Sequence, residues 1–283
     1  MNVAIGPTPA SAEHGARAPS AWRALRALVR RGLRDHRRAW LTWGGPLGAM
    51  SALMAAIWPS VEGVLDDALE GYPEALKEAF NIREITTVEA YIDAEMMSLI
   101  VPLAVAFLAV RVVTRAIAVA EEQRYLDTLL AAPVARTTLV AGAFAVAAIV
   151  VAVVLAVTTL LTWIVALLVG ADASLAVLGR GAANVWPLSM LFAGLAALAA
   201  GALHRSAQVT AIAIGTLVGM YVIDLVGKIA DPVEPLRYIS AFRYYGSAIQ
   251  DGIDAAGFAG LTVVAIVLAA TGALLLQRRD VLA

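Results

Sequence analysis

Residues 139–169 read LVAGAFAVAAIVVAVVLAVTTLLTWIVALLV and contain no charged side chain. The hydrocarbon core of a bilayer is about 30 Å thick, and a helix of about 20 apolar residues crosses it. The stretch is therefore predicted to be a membrane-spanning helix. Because it is longer than an untilted crossing needs, we expect it to tilt, bend or protrude.

The rest of the chain has a composition that suits the same environment. The 283 residues are 61% hydrophobic and only 15% charged, and the mean hydropathy is +0.80. A soluble domain needs more polar surface than this. The chain has no cysteine, which excludes disulfides, thiolate catalysis and cysteine-type metal sites. A net charge of −1 gives no indication of a nucleic-acid partner, and we expect none.

Five more apolar stretches accompany the first, so we predict an all-α membrane protein with six transmembrane helices. The predicted spans are 40–58, 96–118, 139–169, 184–203, 207–227 and 257–277. Proline removes one backbone donor, so Pro46, Pro102 and Pro187 are expected to start or kink their helices.

Arginines cluster before the first span, between the second and third, between the fourth and fifth, and after the sixth. They include Arg23, Arg26, Arg30, Arg31, Arg34, Arg37, Arg38, Arg124, Arg136, Arg205, Arg278 and Arg279. Loops rich in arginine stay in the cytoplasm. We therefore predict cytoplasmic termini and external loops at 59–95, 170–183 and 228–256, although the last of these also carries three basic residues.

The N-terminal part of the chain precedes the six-span domain, which is predicted to occupy 39–283. Residues 1–20 lack the apolar core of a signal peptide and are expected to be disordered. Residues 21–38 alternate arginines with an apolar helical face of Trp22, Leu25, Val29 and Leu33. This pattern predicts an interfacial helix attracted to anionic lipids. It is either a topological anchor or also a docking element for a cytoplasmic partner.

Two of the external loops have recognisable patterns. In 59–95, apolar residues alternate with carboxylates, which predicts short amphipathic helices. The carboxylates form either a solvated acidic face or, as the alternative, a cation site. In 228–256, aromatic residues stand beside arginines, a combination typical of the membrane–water boundary. We expect short helices there that lean into the outer leaflet.

A charged segment, 120–136, separates the second and third spans and reads AEEQRYLDTLLAAPVAR. Its apolar residues recur at helical spacing, its charged residues occupy the other faces, and Pro133 ends the pattern. Such a helix either lies on the membrane surface or inserts its apolar face into a groove on a partner. We place this cytoplasmic turn at 119–137.

This segment resembles the cytoplasmic turn of permease subunits of type-2 ATP-binding-cassette exporters, approximately E-x-G-T-L-D/E-x-L-L-x-x-P-V-x-R. The matching residues are Glu122, Leu126, Asp127, Leu129, Leu130, Pro133, Val134 and Arg136. Arg124-Tyr125 replaces the usual Gly-Thr pair. The basic helix before the first span, the Ser-Ala-Phe-Arg-Tyr-Tyr stretch at 240–245 and the Gln-Arg-Arg-Asp ending also match, so the resemblance covers nearly the whole chain.

The resemblance implies that this turn is a coupling helix seated in a nucleotide-binding subunit. The implied contact residues are Glu121, Glu122, Arg124, Leu126, Asp127, Leu130, Pro133 and Arg136. The chain has no G-x-x-x-x-G-K-[ST] phosphate loop, so it is expected to be no enzyme and to hold no catalytic residue, metal or cofactor. ATP and Mg would bind two separate ATPase subunits, which would assemble with a permease homodimer or a closely related heterodimer.

Four residues are candidates for lining the pathway or packing the dimer. Arg111 and Arg115 lie one helical turn apart, toward the cytoplasmic end of the second span. They either extend to the inner headgroups or line an inward-facing cavity that attracts anionic substrates or lipid headgroups. Gly215 and Gly219 form a G-x-x-x-G pair that packs either within one subunit or across the dimer. Asp224 is expected to form a structural ion pair with Lys228.

The resemblance implies a subunit that exports its cargo across the bacterial inner membrane. The apolar spans favour an amphipathic or hydrophobic compound, such as a drug, natural product or lipid-like molecule. A secondary transporter or another multispan membrane protein is the alternative, although we find no internal repeat. A membrane enzyme is disfavoured because the chain has no H-E-x-x-H or G-x-S-x-G motif.

Overall fold

The computed structural model describes residues 21–69, 87–122 and 135–278. Regular secondary structure in these ranges is helical throughout, and the chain is an all-α membrane protein. The α-helices are α1 (Ala21–Asp35), α2 (Gly45–Leu69), α3 (Val88–Ile92), α4 (Ile100–Thr114), α5 (Arg136–Leu168), α6 (Leu175–Ala202), α7 (Ser206–Ile229), α8 (Ala241–Tyr245) and α9 (Ala255–Arg278). A π-helical turn, Arg115–Val119, follows α4, and one further helical turn, Ala120–Glu122, completes this helix.

Five helices in the described ranges are long and apolar enough to cross a membrane. They are Ile100–Glu122, Arg136–Leu168, Leu175–Ala202, Ser206–Ile229 and Ala255–Arg278. They correspond to the second to sixth predicted spans. The predicted first span lies in α2, where Pro59 and Glu62 interrupt the apolar residues. The first predicted span therefore stays a prediction.

Two helices continue through prolines into segments that were predicted as loops. The helix α2 extends past residue 58 to Leu69, into the segment 59–95 where short amphipathic helices were predicted. The helix α6 begins at Leu175 and contains Pro187, so the loop predicted at 170–183 is much shorter. A proline inside a helix removes only its own N–H donor, and packing on neighbouring helices compensates for that loss. The predicted disordered segment 1–20 lies outside the described residues.

The centre of the bundle is α6, which packs most closely against α9. Glycines make this approach possible, since a Cβ on Gly201 would lie 3.0 Å from the Gly272 Cα atom. A Cβ on Gly194 would collide with the Ala265 carbonyl group in the same way. The two helix backbones are therefore in direct contact, as in other membrane helix pairs that use small residues at their interface.

The amphipathic helix predicted at 21–38 is present as α1, and it packs along the first half of α5. Gly32 faces Val146, and Gly142 on α5 faces Leu28. Trp22 is 65% exposed, whereas Leu33 packs against the core. The apolar face of α1 is thus divided between contacts with the bundle and exposure toward its surroundings.

We define the basic end of the bundle as the end that carries α1, the end of α4, the first turn of α5 and the last turn of α9. At the opposite end, hydrogen bonds connect the short segments to the long helices. The Tyr245 hydroxyl donates to the Met97 carbonyl at 3.0 Å, and the Asn184 amide donates to the Tyr245 carbonyl. Ser247 donates to the carboxylate of Asp93, which is buried. Burial raises the pKa of Tyr245 well above the ordinary phenol value, so it remains a hydrogen-bond donor.

The aromatic stretch between α7 and α9 packs into the bundle instead of leaning outward as a whole. Phe242 is buried against Phe192 and Tyr221, with ring centroids 6.5 and 5.3 Å apart. The predicted orientation toward the outer leaflet is wrong for Phe242 and for Tyr245, which is also buried. Only part of the stretch, including the exposed ring of Tyr238, faces away from the protein.

Candidate functional site at the basic end

The end of α4 is joined to the start of α7 by one carboxylate. Glu122 accepts hydrogen bonds from the backbone N–H and from the hydroxyl of Ser206, both at 2.7 Å. Ser206 is the first residue of α7, where N–H groups lack partners within the helix. A carboxylate at this position also interacts favourably with the helix dipole. Glu122 therefore caps α7 from another helix.

The neighbouring carboxylate makes a second contact with the same turn. Glu121 Oε1 lies 3.2 Å from Nδ1 of His204, which stands two residues before the start of α7 in the turn after α6. His204 is half exposed, and it contributes an ion pair only when it is protonated. Two consecutive acidic residues thus connect α4 with the turn between α6 and α7.

Arg136 anchors the other side of the charged segment. It is the first residue of α5, and its Nη1 donates a hydrogen bond at 2.9 Å to the carbonyl of Leu276 in the last turn of α9. Carbonyls at a helix C-terminus lack intrahelical partners, and a cation there also complements the helix dipole. Of the residues that flank 123–134, Glu122 is thereby attached to α7 and Arg136 to α9.

Five of the residues predicted for the coupling contact lie in 123–134, outside the described residues. They are Arg124, Leu126, Asp127, Leu130 and Pro133. The remaining three, Glu121, Glu122 and Arg136, flank that range and make the contacts given above. Their assignment to an ATPase contact stays a prediction.

A cavity of about 770 Å³ opens at the basic end between α1, α4, α5 and α7. Its lining includes both predicted arginines, Arg111 and Arg115, whose side chains are exposed. Arg31, Asp35 and His36 reach it from α1. The cavity therefore combines charged side chains with the apolar surfaces of the surrounding helices.

Arg111 lies deeper along its helix than the sequence suggested. The apolar helix runs from Ile100 to Glu122, so Arg111 stands at its midpoint, about three turns from the Glu122 end. Its guanidinium carbon lies 5.9 Å from the centroid of the Phe107 ring, a cation–π distance. The predicted alternative that the arginines line a cavity agrees with this placement.

The G-x-x-x-G pair of α7 faces away from the rest of the chain. A Cβ on either Gly215 or Gly219 would meet no atom within 4 Å. The alternative that this pair packs within one subunit is therefore wrong for the described part of the chain. Packing against a second permease stays a prediction.

The C-terminal end of α7 is held by charged side chains, as predicted. Asp224 is buried, and its carboxylate lies 3.2 Å from Lys228 Nζ. It also accepts a hydrogen bond from Arg237 Nε at 3.1 Å. The structural ion pair is confirmed, and Arg237 extends it to the segment after α7.

A comparison with known protein families agrees with this architecture. Residues 29–277 match the family described as "Multidrug efflux system permease Rv1217c, C-terminal domain". The chain belongs to this family. The match runs from α1 into the last turn of α9, so it includes the five apolar helices and both anchors of the charged segment. The chain is thus a membrane-embedded permease. A search of curated proteins gives no significant match.

Sequence reasoning missed the partners of the permease's predicted site residues. Ser206 and His204 carry no signal that pairs them with Glu121 and Glu122, which lie more than 80 positions earlier. The partner of Arg136 is a backbone carbonyl, which no side-chain pattern identifies. The contribution of α1 to the cavity was also missed, because an interfacial helix was expected to contact lipid.

The permease offers no metal centre in the part of the chain that the structure describes. Within 21–69, 87–122 and 135–278, no three histidine or carboxylate side chains lie close enough together to hold a metal ion. At the basic end, Glu121, Glu122, Arg136 and the arginines of the cavity supply ionic and hydrogen-bonding groups.

Proposed function

We propose that this permease is the transmembrane subunit of an ATP-driven exporter of the ATP-binding-cassette type. The predicted cytoplasmic turn, 119–137, would be its coupling helix. The observation that carries the proposal is the double attachment of this segment, through Glu122 to Ser206 and through Arg136 to Leu276. An ordinary cytoplasmic turn needs no connection to two helices that are distant in sequence.

The attachments suit the transmission of movement. A displacement of the segment by a partner would act directly on α4 and α5, which it joins. Through Glu122 it would act on the first turn of α7, and through Arg136 on the last turn of α9. Four apolar helices would therefore respond to one external contact.

The orientation follows from the arginines. They concentrate at the basic end, which we infer to be cytoplasmic, with both termini on that side. Two copies of a separate ATPase subunit would bind there and hold ATP and Mg, so this chain itself would catalyse no reaction and bind no cofactor. The membrane is inferred to be the inner membrane of a bacterium.

The open face of α7 supports assembly with a second permease, either an identical chain or a close relative. Gly215 and Gly219 leave a flat surface that another helix can approach closely. The pathway would then lie between the two permeases, lined by α4 and α7 of each.

The cargo inferred from the family and from the mainly apolar helices is an amphipathic or hydrophobic compound, carried outward. A secondary transporter is the competing class, and it would move such a compound without an ATPase. The deciding measurement is therefore the dependence of transport on a nucleotide-hydrolysing partner.

The test uses the apolar face of the proposed coupling helix, because Glu122 has structural contacts of its own. The double variant Leu126→Asp/Leu130→Asp is expected to lose the hydrophobic contact with the ATPase groove. ATPase activity that co-purifies with the tagged permease from native membranes should fall at least tenfold, and cargo export should fall with it.

The matched control is Leu236→Asp, which introduces the same charge on a half-exposed leucine at the opposite end. Both variants should insert into the membrane at the level of the unmodified protein, and the control should retain its ATPase. Export by the purified permease alone, or unchanged ATPase co-purification with the double variant, contradicts the proposal.

A further inference from the structure

The cavity at the basic end has the charge and the walls to hold one anionic amphiphile. We propose that Arg111 and Arg115 bind its phosphate or carboxylate headgroup, while the apolar walls hold its tail. The proposal rests on the membrane orientation inferred above, but it requires neither an ATPase nor a second permease.

The charges that line the cavity are predominantly positive. Arg31, Arg111 and Arg115 face it, and Asp35 is the only carboxylate among the described residues that line it. Within the described ranges, neither Arg111 nor Arg115 has a carboxylate oxygen within 4.0 Å of its guanidinium group. The two arginines of α4 therefore lack an anionic partner in this part of the chain.

The position of Arg111 makes a bound anion favourable. It lies midway along an apolar helix, where an ionised side chain without a counter-charge is costly. A guanidinium forms planar, bidentate hydrogen bonds with phosphate or carboxylate oxygens, and these bonds are stronger when water is scarce. Since Arg115 is one turn further along the same face, two guanidinium groups could share one headgroup.

A hydroxyl on the same helix offers another polar contact. Thr114 lines the cavity and is buried, and its Oγ1 has no hydrogen-bond partner among the described residues. Buried hydroxyls are normally paired, so this one is a further place for a headgroup oxygen or an intervening water.

The walls suit the tail of the same molecule. Apolar side chains from three helices surround the arginines, among them Leu28 of α1, Val112 of α4 and Val146 of α5. The volume of about 770 Å³ is within the usual range for a site that holds a single small ligand. The cavity also adjoins α1, the amphipathic helix expected at the lipid headgroups.

Two sources could supply this chemistry: a phospholipid of the surrounding leaflet, or an anionic amphiphile on its way to export. Both present an acidic headgroup joined to an apolar tail. They differ in whether the molecule stays bound when the chain is extracted from membranes, so one design can separate them.

The first experiment measures binding to the purified full-length permease in detergent, with no ATPase or ATP present. The probes are short-chain phosphatidylglycerol, phosphatidylcholine with the same tails, decanoate and inorganic phosphate. We expect phosphatidylglycerol to bind at least tenfold more tightly than phosphatidylcholine or phosphate, because both the charge and the tail contribute.

The variants test which arginines are responsible. Arg111→Gln/Arg115→Gln should weaken phosphatidylglycerol binding at least tenfold, and Arg111→Lys/Arg115→Lys should retain most of it. Arg26→Gln removes an exposed arginine of α1 that does not line the cavity, and it should change binding less than twofold. The lysine variant shows whether a folded protein with the same charge still binds.

Native mass spectrometry of the extracted permease then identifies the source. A phospholipid that is retained by the unmodified chain and lost from the glutamine double variant indicates a resident lipid. Binding of decanoate without any retained phospholipid indicates cargo. Equal affinity for the two phospholipids, or an equal loss with Arg26→Gln, overturns the site. Because these assays contain no ATPase, their result is independent of the coupling proposal.

Discussion

The helices α6 and α7 follow one another in the chain and are both apolar, yet their surroundings differ. In α6, 78% of the most apolar stretch is buried inside the protein, against 22% in α7. Glycines occur on both helices. Gly194 and Gly201 of α6 contact the backbone of α9, whereas Gly215 and Gly219 of α7 contact nothing within the described chain.

Glycines therefore have different structural roles in the two helices. In α6 the small residues belong to a completed helix–helix contact that holds the bundle together. In α7 the same residue type leaves a surface that no described part of the chain covers. The fixed points of α7 are its two ends, at Ser206 and at Asp224. A helix held at both ends and open along its side is well placed to contact a second permease.

The largest expected effect is on the contact between α6 and α9. Gly201→Leu would force a side chain into the Gly272 backbone, and overpacking of this kind should cost more than about 3 kcal/mol. We expect almost no monodisperse protein after extraction, as judged by size-exclusion chromatography. Gly179→Leu on the same helix faces open space and serves as the control. Equal yields of the two variants would contradict the described packing.

A smaller effect is expected at the anchored end of α7. Asp224→Asn leaves Lys228 and Arg237 without their shared carboxylate, and the loss of charged hydrogen bonds should destabilise the protein by about 2 kcal/mol. Thermal unfolding in detergent measures this change. Asp172→Asn alters an exposed carboxylate at the same end and should stay within about 0.5 kcal/mol. A similar loss of thermal stability in both variants would show that the ion pairs of Asp224 do not stabilise the protein.

The smallest effect concerns the open face of α7. Gly215→Leu clashes with nothing in the chain, so the stability of the monomer should be unchanged or slightly raised by better helix propensity. Association of two permeases should weaken about tenfold, which corresponds to about 1.4 kcal/mol. Since the chain has no cysteine, Leu168→Cys provides a single labelling site for energy transfer between copies. A destabilised monomer with unchanged association would show that Gly215 packs within the chain and does not lie on an open face.

The fold class was predictable because it depends on composition. Runs of apolar residues specify membrane helices directly, and five of the six predicted spans have a matching helix. The ion pair of Asp224 and Lys228 was predictable for a similar reason, since residues four apart share a helix face. Local spacing carries this information.

The contacts of the candidate site depend on tertiary structure and were not predictable. Glu122 and Ser206 are 84 positions apart, and nothing in either local pattern indicates the other. The cavity was missed for the same reason, because α1 forms one wall only when it packs against α5. The start of α6 was misplaced because Pro187 was expected to start or kink its helix, whereas the helix begins at Leu175 and continues through this proline.

The hydrogen bond from Arg136 to the Leu276 carbonyl joins groups that lie 140 positions apart. It cannot form until α6, α7 and α9 have been synthesised and inserted, since Leu276 lies in the last of these. During biogenesis the charged segment would therefore gain its α9 attachment late, after most of the bundle has assembled. A cytosolic ATPase that binds the segment only when both attachments are present would distinguish mature permeases from nascent chains. Unfinished copies would then have no ATPase bound.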